Sequence, residues 1–109
     1  MSENVIVVVP IKAAEGRGDE IVSLFTPCIE ETVKEEGCVR YSLNRDKTDS
    51  DAFVHIEVCR SQADLDAHFQ QPYLQAMVGG MGAPGLLAEV PAMGMFGPEG
   101  VGGDKGILA

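Results

Sequence analysis

The pattern of hydrophobic positions predicts a buried strand followed by a helix with one buried face. Val5 to Ile11 is an unbroken apolar run rich in β-branched residues, which is typical of a strand covered on both faces. From about Asp19 to Glu35, apolar residues recur at three- and four-residue spacing, which indicates a helix with one buried face. Pro27 lies inside this helix and predicts a kink rather than two helices. Gly37 is expected to end the helix in a left-handed conformation.

Alternating patterns follow over residues 38–46 and 52–59, with a polar turn between them. They predict an antiparallel hairpin. Ser61 and Asp64 form a capping arrangement before a second helix that carries Leu65, His68 and Phe69.

Pro72 suits the first position of a third, short helix, and residues 86–96 read as a last strand. Pro91 places that strand at a sheet edge or a bulge. We therefore expect one domain over residues 1–96. Most of the 13 glycines lie near the carboxyl terminus, so residues 97–109 are expected to be a mobile tail or an arm that orders on a partner.

The predicted order β-α-β-β-α-α-β places the helices on one face of a four-stranded antiparallel sheet, which is a ferredoxin-like α+β fold. The opposite face of that sheet is apolar and needs another cover. A second copy of the chain is the obvious candidate, and the expected assembly is a homodimer with two sheets packed face to face.

Charge and composition narrow the classes of partner. With 17 acidic and 8 basic residues, the formal charge of −9 repels phosphate backbones and anionic lipids, so neither nucleic acid nor a membrane is an expected partner. No apolar run approaches the roughly 20 residues of a membrane span, and we expect a soluble, cytoplasmic protein. The three cysteines are expected to be reduced, because their spacing suits no metal site.

Several motifs occur in an order that resembles the antibiotic biosynthesis monooxygenase family. The motifs are Glu35, Gly37, Cys38 and Tyr41 around the first turn, the strand from Phe53 to Glu57, Leu65 with His68, and Pro72 with Tyr73. The resemblance covers residues 3–96 and implies a dimeric α+β barrel. Haem-degrading relatives carry a tryptophan and a strand asparagine that are missing here, so the resemblance does not extend to haem degradation.

His68 is the candidate catalytic base. It shares the inward face of its helix with Leu65 and Phe69, and a neutral imidazole can take up or donate a proton near neutral pH. In the family, the matching histidine lines a cavity between the sheet and the helices. The alternative is a core histidine that is satisfied by a backbone carbonyl.

Candidate substrate-binding residues are Tyr41, His55, Tyr73 and Met77. His55 and Glu57 share one strand face, next to Arg40 or Asn44 if the register allows. They form either a polar cluster that orients an oxygenated aromatic or an ion pair at the dimer interface or in solvent. The tyrosines can donate hydrogen bonds to a substrate oxygen, and Met77 can line an adaptable apolar pocket, although each can also serve packing alone.

These observations favour a monooxygenase that uses dioxygen on a small electron-rich aromatic, such as a quinol or an anthrone-like phenol. No metal site is expected, since the two histidines lie far apart, and no phosphate-binding glycine motif indicates a flavin or nicotinamide cofactor. Two alternatives stay open: a proton-transfer isomerase acting on a small carbonyl compound, and a non-catalytic dimeric ligand-binding or stress-response module.

Overall fold

The computed structural model describes residues 3–108, in which three α-helices cover one face of a four-stranded antiparallel sheet. This is the ferredoxin-like α+β architecture that the sequence predicts. The elements are β1 (Val5–Lys12), α1 (Gly18–Thr32), β2 (Cys38–Arg45), β3 (Ala52–Cys59), α2 (Gln62–Phe69), α3 (Pro72–Met81) and β4 (Gly94–Phe96), followed by a short 3₁₀ helix over Gly103–Gly106.

The strands lie in the order β2-β3-β1-β4, and all three pairings are antiparallel. Val8 pairs with Ile56, and Ile6 pairs with Phe96. The β2–β3 hairpin is confirmed. It contains an irregularity between Cys38 and Arg40, which sets the pairing of every later residue of β2.

Successive side chains of a strand point to opposite faces, and the odd-numbered residues of β1 and β3 face the helices. Val7, Ile11 and Phe53 are buried on this side. The helix α1 contributes Ile21, Phe25 and Cys28 to the same core, at the spacing that the sequence pattern predicts. The core therefore lies between the sheet and the helical layer, and this layer positions the site described below.

The helix α1 is continuous through Pro27 and ends at Thr32, earlier than predicted. The prediction that Gly37 has a left-handed conformation is wrong, since its φ angle is not positive. A Cβ atom at Gly37 would lie 2.4 Å from Cγ of Asp64. Gly37 thus allows the end of the α1 turn to approach the start of α2.

The last strand is shorter than the predicted 86–96. Leu87 forms an isolated bridge with Ala13, and regular pairing with β1 resumes at Gly94 opposite Val8. Between these two contacts the chain advances seven residues, from Leu87 to Gly94, while β1 advances only five, from Val8 to Ala13. The additional residues bulge out of the sheet around Pro91. The strand β4 lies at the edge of the sheet, as predicted, and Pro91 lies outside it, in the irregular segment that precedes the strand.

The even-numbered residues of β1 and β3 form the outer face of the sheet. Val8, Val54 and Ile56 on this face are half-buried in the single chain. At one end of the face, the side-chain amide of Asn4 donates a hydrogen bond to the carbonyl of Leu108 at 3.4 Å, so the residues after β4 return to the start of β1. Within residues 3–108, no helix is long and apolar enough to cross a membrane.

A candidate active site between the sheet and the helices

A cavity of about 510 Å³ lies between the helix-facing side of the sheet and the helices. Most of its wall is apolar, and Met77 and Phe69 line it without filling it. Three side chains in the wall carry groups for polar chemistry: Tyr41, His55 and Glu57. The remaining lining residues are Val9, Ile11, Phe25, Leu74, Val78, Met81, Pro91 and Met93.

The register of β2 and β3 brings the polar groups to the cavity. Tyr41 pairs with Glu57, and Leu43 pairs with His55. His55 and Glu57 are each 4% exposed, so they lie neither in solvent nor on the outer face. The prediction that they lie next to Arg40 or Asn44 is wrong, because those two residues belong to the opposite face of β2.

His55 is fixed by a backbone carbonyl. Its Nδ1 lies 3.0 Å from the carbonyl oxygen of Ser42, which can only accept, so Nδ1 carries a proton and donates it. The ring packs edge-on against Tyr41, with 4.5 Å between the ring centroids. Its Nε2 lies 3.8 Å from Oε1 of Glu57, which is too long for a direct hydrogen bond.

Tyr41 lines the cavity as a neutral phenol. Its hydroxyl lies 3.5 Å from Sγ of Cys28. Burial, with smaller contributions from Cys28 and Glu57, raises the pKa of Tyr41 well above its usual value. The group therefore stays protonated across neutral and mildly alkaline pH.

His68 is buried behind the cavity wall, at 1% exposure, and is absent from the lining residues. Its Nδ1 lies 2.9 Å from Oε2 of Glu35, and its Nε2 lies 3.4 Å from Oε2 of Glu57. The hydrogen-bond partner of this core imidazole is thus the Glu35 carboxylate, not the backbone carbonyl that was one of the two alternatives, and the Glu57 carboxylate faces its other nitrogen without a hydrogen bond. His68 reaches the cavity through Glu57.

Glu35 receives a second contact on the same oxygen, because the hydroxyl of Tyr73 donates a hydrogen bond to Oε2. Burial, together with the Glu35 carboxylate, raises the pKa of Tyr73 above its usual value. Tyr73 does not line the cavity. The side chain of Glu35 is 21% exposed, so this end of the cluster reaches solvent.

Sequence reasoning grouped Glu57 with His55 but missed that the carboxylates of Glu57 and Glu35 both lie against His68. Glu35 lies in an irregular turn after α1, where its amide donates to the carbonyl of Thr32 at 2.9 Å, and periodicity does not reveal where such a residue points. Its place in the motif with Gly37 and Cys38 was the available signal.

The cluster joins the cavity to the surface through groups that can exchange a proton. From the cavity, the order is Glu57, His68 and Glu35, with His55 beside the first and Tyr73 beside the last. Within residues 3–108, no three His, Cys, Asp or Glu side chains are arranged to hold a metal ion. The arrangement is suited to general acid–base chemistry on a small, mainly apolar molecule.

Comparison with solved structures supports the architecture. A protein of Nitrosomonas europaea, provisionally named an antibiotic biosynthesis monooxygenase, superposes with a TM-score of 0.81 over 89% of this chain and 91% of its own, at 15% identity. A protein of Mycobacterium tuberculosis gives a TM-score of 0.78 over 87% of this chain and 94% of its own, at 24% identity. At these identities the likeness concerns the fold.

Sequence comparison identifies the family. An uncharacterised protein of Synechocystis is 36% identical over 85 residues, which are 78% of this chain. The aligned part is 56% of that relative, so the chain spans little more than half of its length. The family model described as antibiotic biosynthesis monooxygenase matches residues 4–80. The chain therefore belongs to the antibiotic biosynthesis monooxygenase family.

Proposed function

We propose that this protein is a cofactor-independent monooxygenase that uses dioxygen on a small electron-rich aromatic, either a quinol or an anthrone-like phenol. The observation that carries the proposal is the cavity of about 510 Å³, whose apolar wall is interrupted by Tyr41, His55 and Glu57. Membership of a family named for monooxygenases supports the reaction type.

Such substrates can supply all the electrons of the reaction. Once an electron-rich phenol is deprotonated, its anion reduces dioxygen directly. An anthrone methylene becomes a carbonyl, or a quinol becomes a hydroxyquinone; in each case one oxygen atom enters the product and the other leaves as water. The protein must provide a dry cavity, a proton acceptor and donors that stabilise the anion.

The candidate residues divide into two groups. Tyr41, His55 and Met77 line the cavity, which supports direct contact with substrate. His68 lies 3.4 Å behind Glu57, and this distance supports a role as a base that acts through that carboxylate. Tyr73 then acts one step further away, by fixing Glu35.

Oxygen consumption with a panel of quinols and anthrones tests the proposal. We expect the native protein to consume oxygen with at least one of them and His68→Ala to lose most of that rate. Met77→Trp fills the cavity and is expected to abolish uptake, whereas Met95→Trp, at an exposed position outside the lining, retains it. No uptake by the native protein across the panel contradicts the proposal.

A proton-transfer isomerase acting on a small carbonyl compound is the second candidate, and the chain from Glu57 through His68 to Glu35 favours it. Proton transfer alone needs no oxygen. Under anaerobic conditions an isomerase exchanges the α-proton of its substrate with deuterated water. Exchange without oxygen uptake would replace the monooxygenase proposal by this one.

A further inference from the structure

Glu57 is the one acidic residue among the described residues that line the cavity. Its side chain is 5% exposed, and no hydrogen bond reaches its buried Oε2 atom. Buried carboxylate oxygens are normally hydrogen-bonded, since desolvation without a partner is costly. This oxygen therefore lies in a position that a proton or a donor would stabilise.

The atom that faces this oxygen is unpartnered as well. Nε2 of His68 lies 3.4 Å away, is fully buried and makes no hydrogen bond. When Nδ1 of His68 donates to Glu35 at 2.9 Å, a neutral imidazole leaves Nε2 as an acceptor. Two buried acceptors thus face one another, and one additional proton between them satisfies both.

The neighbouring groups do not supply this proton. Nδ1 of His55 is committed to the carbonyl of Ser42, and its Nε2 lies 3.8 Å from the other oxygen of Glu57. The phenol of Tyr41 contacts Cys28. The cavity itself is the remaining source of a donor on this side of Glu57.

We infer that Glu57 is the catalytic residue that takes the proton from the bound substrate, and that it restricts the substrate class to neutral phenols. This inference rests on the proposed function, in that the cavity is taken to hold a small aromatic. The O–H bond of the phenol breaks, its electron pair stays on the phenolate oxygen, and the proton binds the Glu57 carboxylate. The proton then passes to Nε2 of His68, which becomes an imidazolium between Glu57 and Glu35.

The same geometry excludes aromatic carboxylates. A neutral phenol donates a hydrogen bond to Glu57, whereas a carboxylate brings a second negative charge against it in a cavity whose wall is mainly apolar. Like charges placed together in this way are expected to weaken binding by more than about tenfold. Glu57 thus acts as a specificity residue as well as a proton acceptor.

The test compares naphthol with naphthoate substituted at the same ring position, and measures binding to the native protein and to Glu57→Gln by ligand fluorescence. The chain contains no tryptophan, so the protein background is low. We expect the native protein to bind naphthol more than about tenfold tighter than naphthoate. In Glu57→Gln the affinity for naphthol is expected to exceed that for naphthoate by no more than a few-fold.

Emission provides a signature that a purely structural role of Glu57 would not give. Excited naphthol is a strong acid and emits at longer wavelength once it loses its proton. In the cavity we expect anion emission from naphthol bound to the native protein and neutral emission from naphthol bound to Glu57→Gln. Equal affinity of the native protein for the two probes, or purely neutral emission from its bound naphthol, overturns the inference even if the variant does not fold.

Binding is measured without oxygen, so the results can contradict the role of Glu57 and the monooxygenase proposal independently of one another. Naphthol preference and anion emission without oxygen uptake on any phenol would sustain the role of Glu57 and remove the monooxygenase proposal. Oxygen uptake without the preference would do the reverse. Glu36→Gln removes a carboxylate whose side chain is 90% exposed and lies outside the cavity wall, and it is expected to retain the preference for naphthol.

Discussion

Gly37 lies where the turn after α1 meets the start of α2. Its backbone conformation is open to any residue, but a Cβ atom there would lie 2.5 Å from Cβ and 2.4 Å from Cγ of Asp64. We expect Gly37→Ala to lower the free energy of unfolding by about 1–3 kcal/mol, because the Asp64 side chain must move away from the hydrogen bonds that it accepts from Ser61 and Arg60. Urea denaturation followed by circular dichroism measures the change.

Gly79→Ala is the matched control for this substitution. Gly79 lies in α3, and a Cβ atom there meets nothing within 4 Å. Alanine favours a helix over glycine by about 1 kcal/mol, so this variant is expected to be as stable as the native protein or more so. Equal effects of the two substitutions would contradict the role assigned to the approach between Gly37 and Asp64.

Cys59 gives the protein a pH-dependent contribution to stability. Burial, with the nearby Glu57 carboxylate, raises the pKa of the Cys59 thiol from 9.0 to about 12. The unfolded chain therefore releases this proton at lower pH than the folded chain. The contribution is complete below about pH 9 and is lost as the pH rises toward about 12, with a slope of at most about 1.4 kcal/mol per pH unit.

The corresponding measurement is the free energy of unfolding between about pH 9 and pH 10.5, under reducing conditions. Cys59→Ala removes this thiol but leaves Cys38 and Tyr41, whose pKa values burial also raises. We expect the alkaline loss of stability to become shallower in Cys59→Ala and to stay unchanged in the surface variant Val33→Ala. An identical slope in Cys59→Ala and the native protein would show that the thiol does not contribute.

At the scale of elements, periodicity and end signals predicted much of the fold. Ser61 caps α2 by accepting a hydrogen bond from the amide of Asp64 at 3.2 Å, and Pro72 begins α3, both as the sequence indicates. These signals are local, since each depends on residues within one turn. The predicted length of the last strand was wrong, because the irregular segment around Pro91 depends on pairing with β1, which is far away in sequence.

The candidate site was harder to predict than the elements that form it. Alternation correctly placed His55 and Glu57 on one face of β3, but a strand pattern does not say which set of β2 residues shares that face. A shift of one residue exchanges the faces, and the irregularity between Cys38 and Arg40 determines which set is chosen. The contact between Glu35 and His68 joins residues 33 positions apart, and no local pattern encodes it.

For the whole molecule, the outer sheet face is the feature that one chain leaves unfinished. Val8, Val54 and Ile56 on this face are half-buried, whereas the helix-facing side of the same strands is closed by three helices. Packing this face against a second copy removes apolar area from water, which stabilises the assembly by about 25 cal/mol per Å² of apolar area buried. The expected assembly is a homodimer whose sheets pack face to face.

Ile56→Lys tests this assembly, because its side chain lies on the outer face and pairs across the sheet with Val8. Sedimentation equilibrium of the native protein at micromolar concentration is expected to give twice the 11.6 kDa of one chain. Ile56→Lys brings a charge into the contact and is expected to sediment at the mass of one chain. Val33→Lys places the same charge at a residue that is 57% exposed and should leave the dimer intact. Monomeric native protein under these conditions would contradict the pairing, and the proposed chemistry would then belong to a single chain with an open sheet.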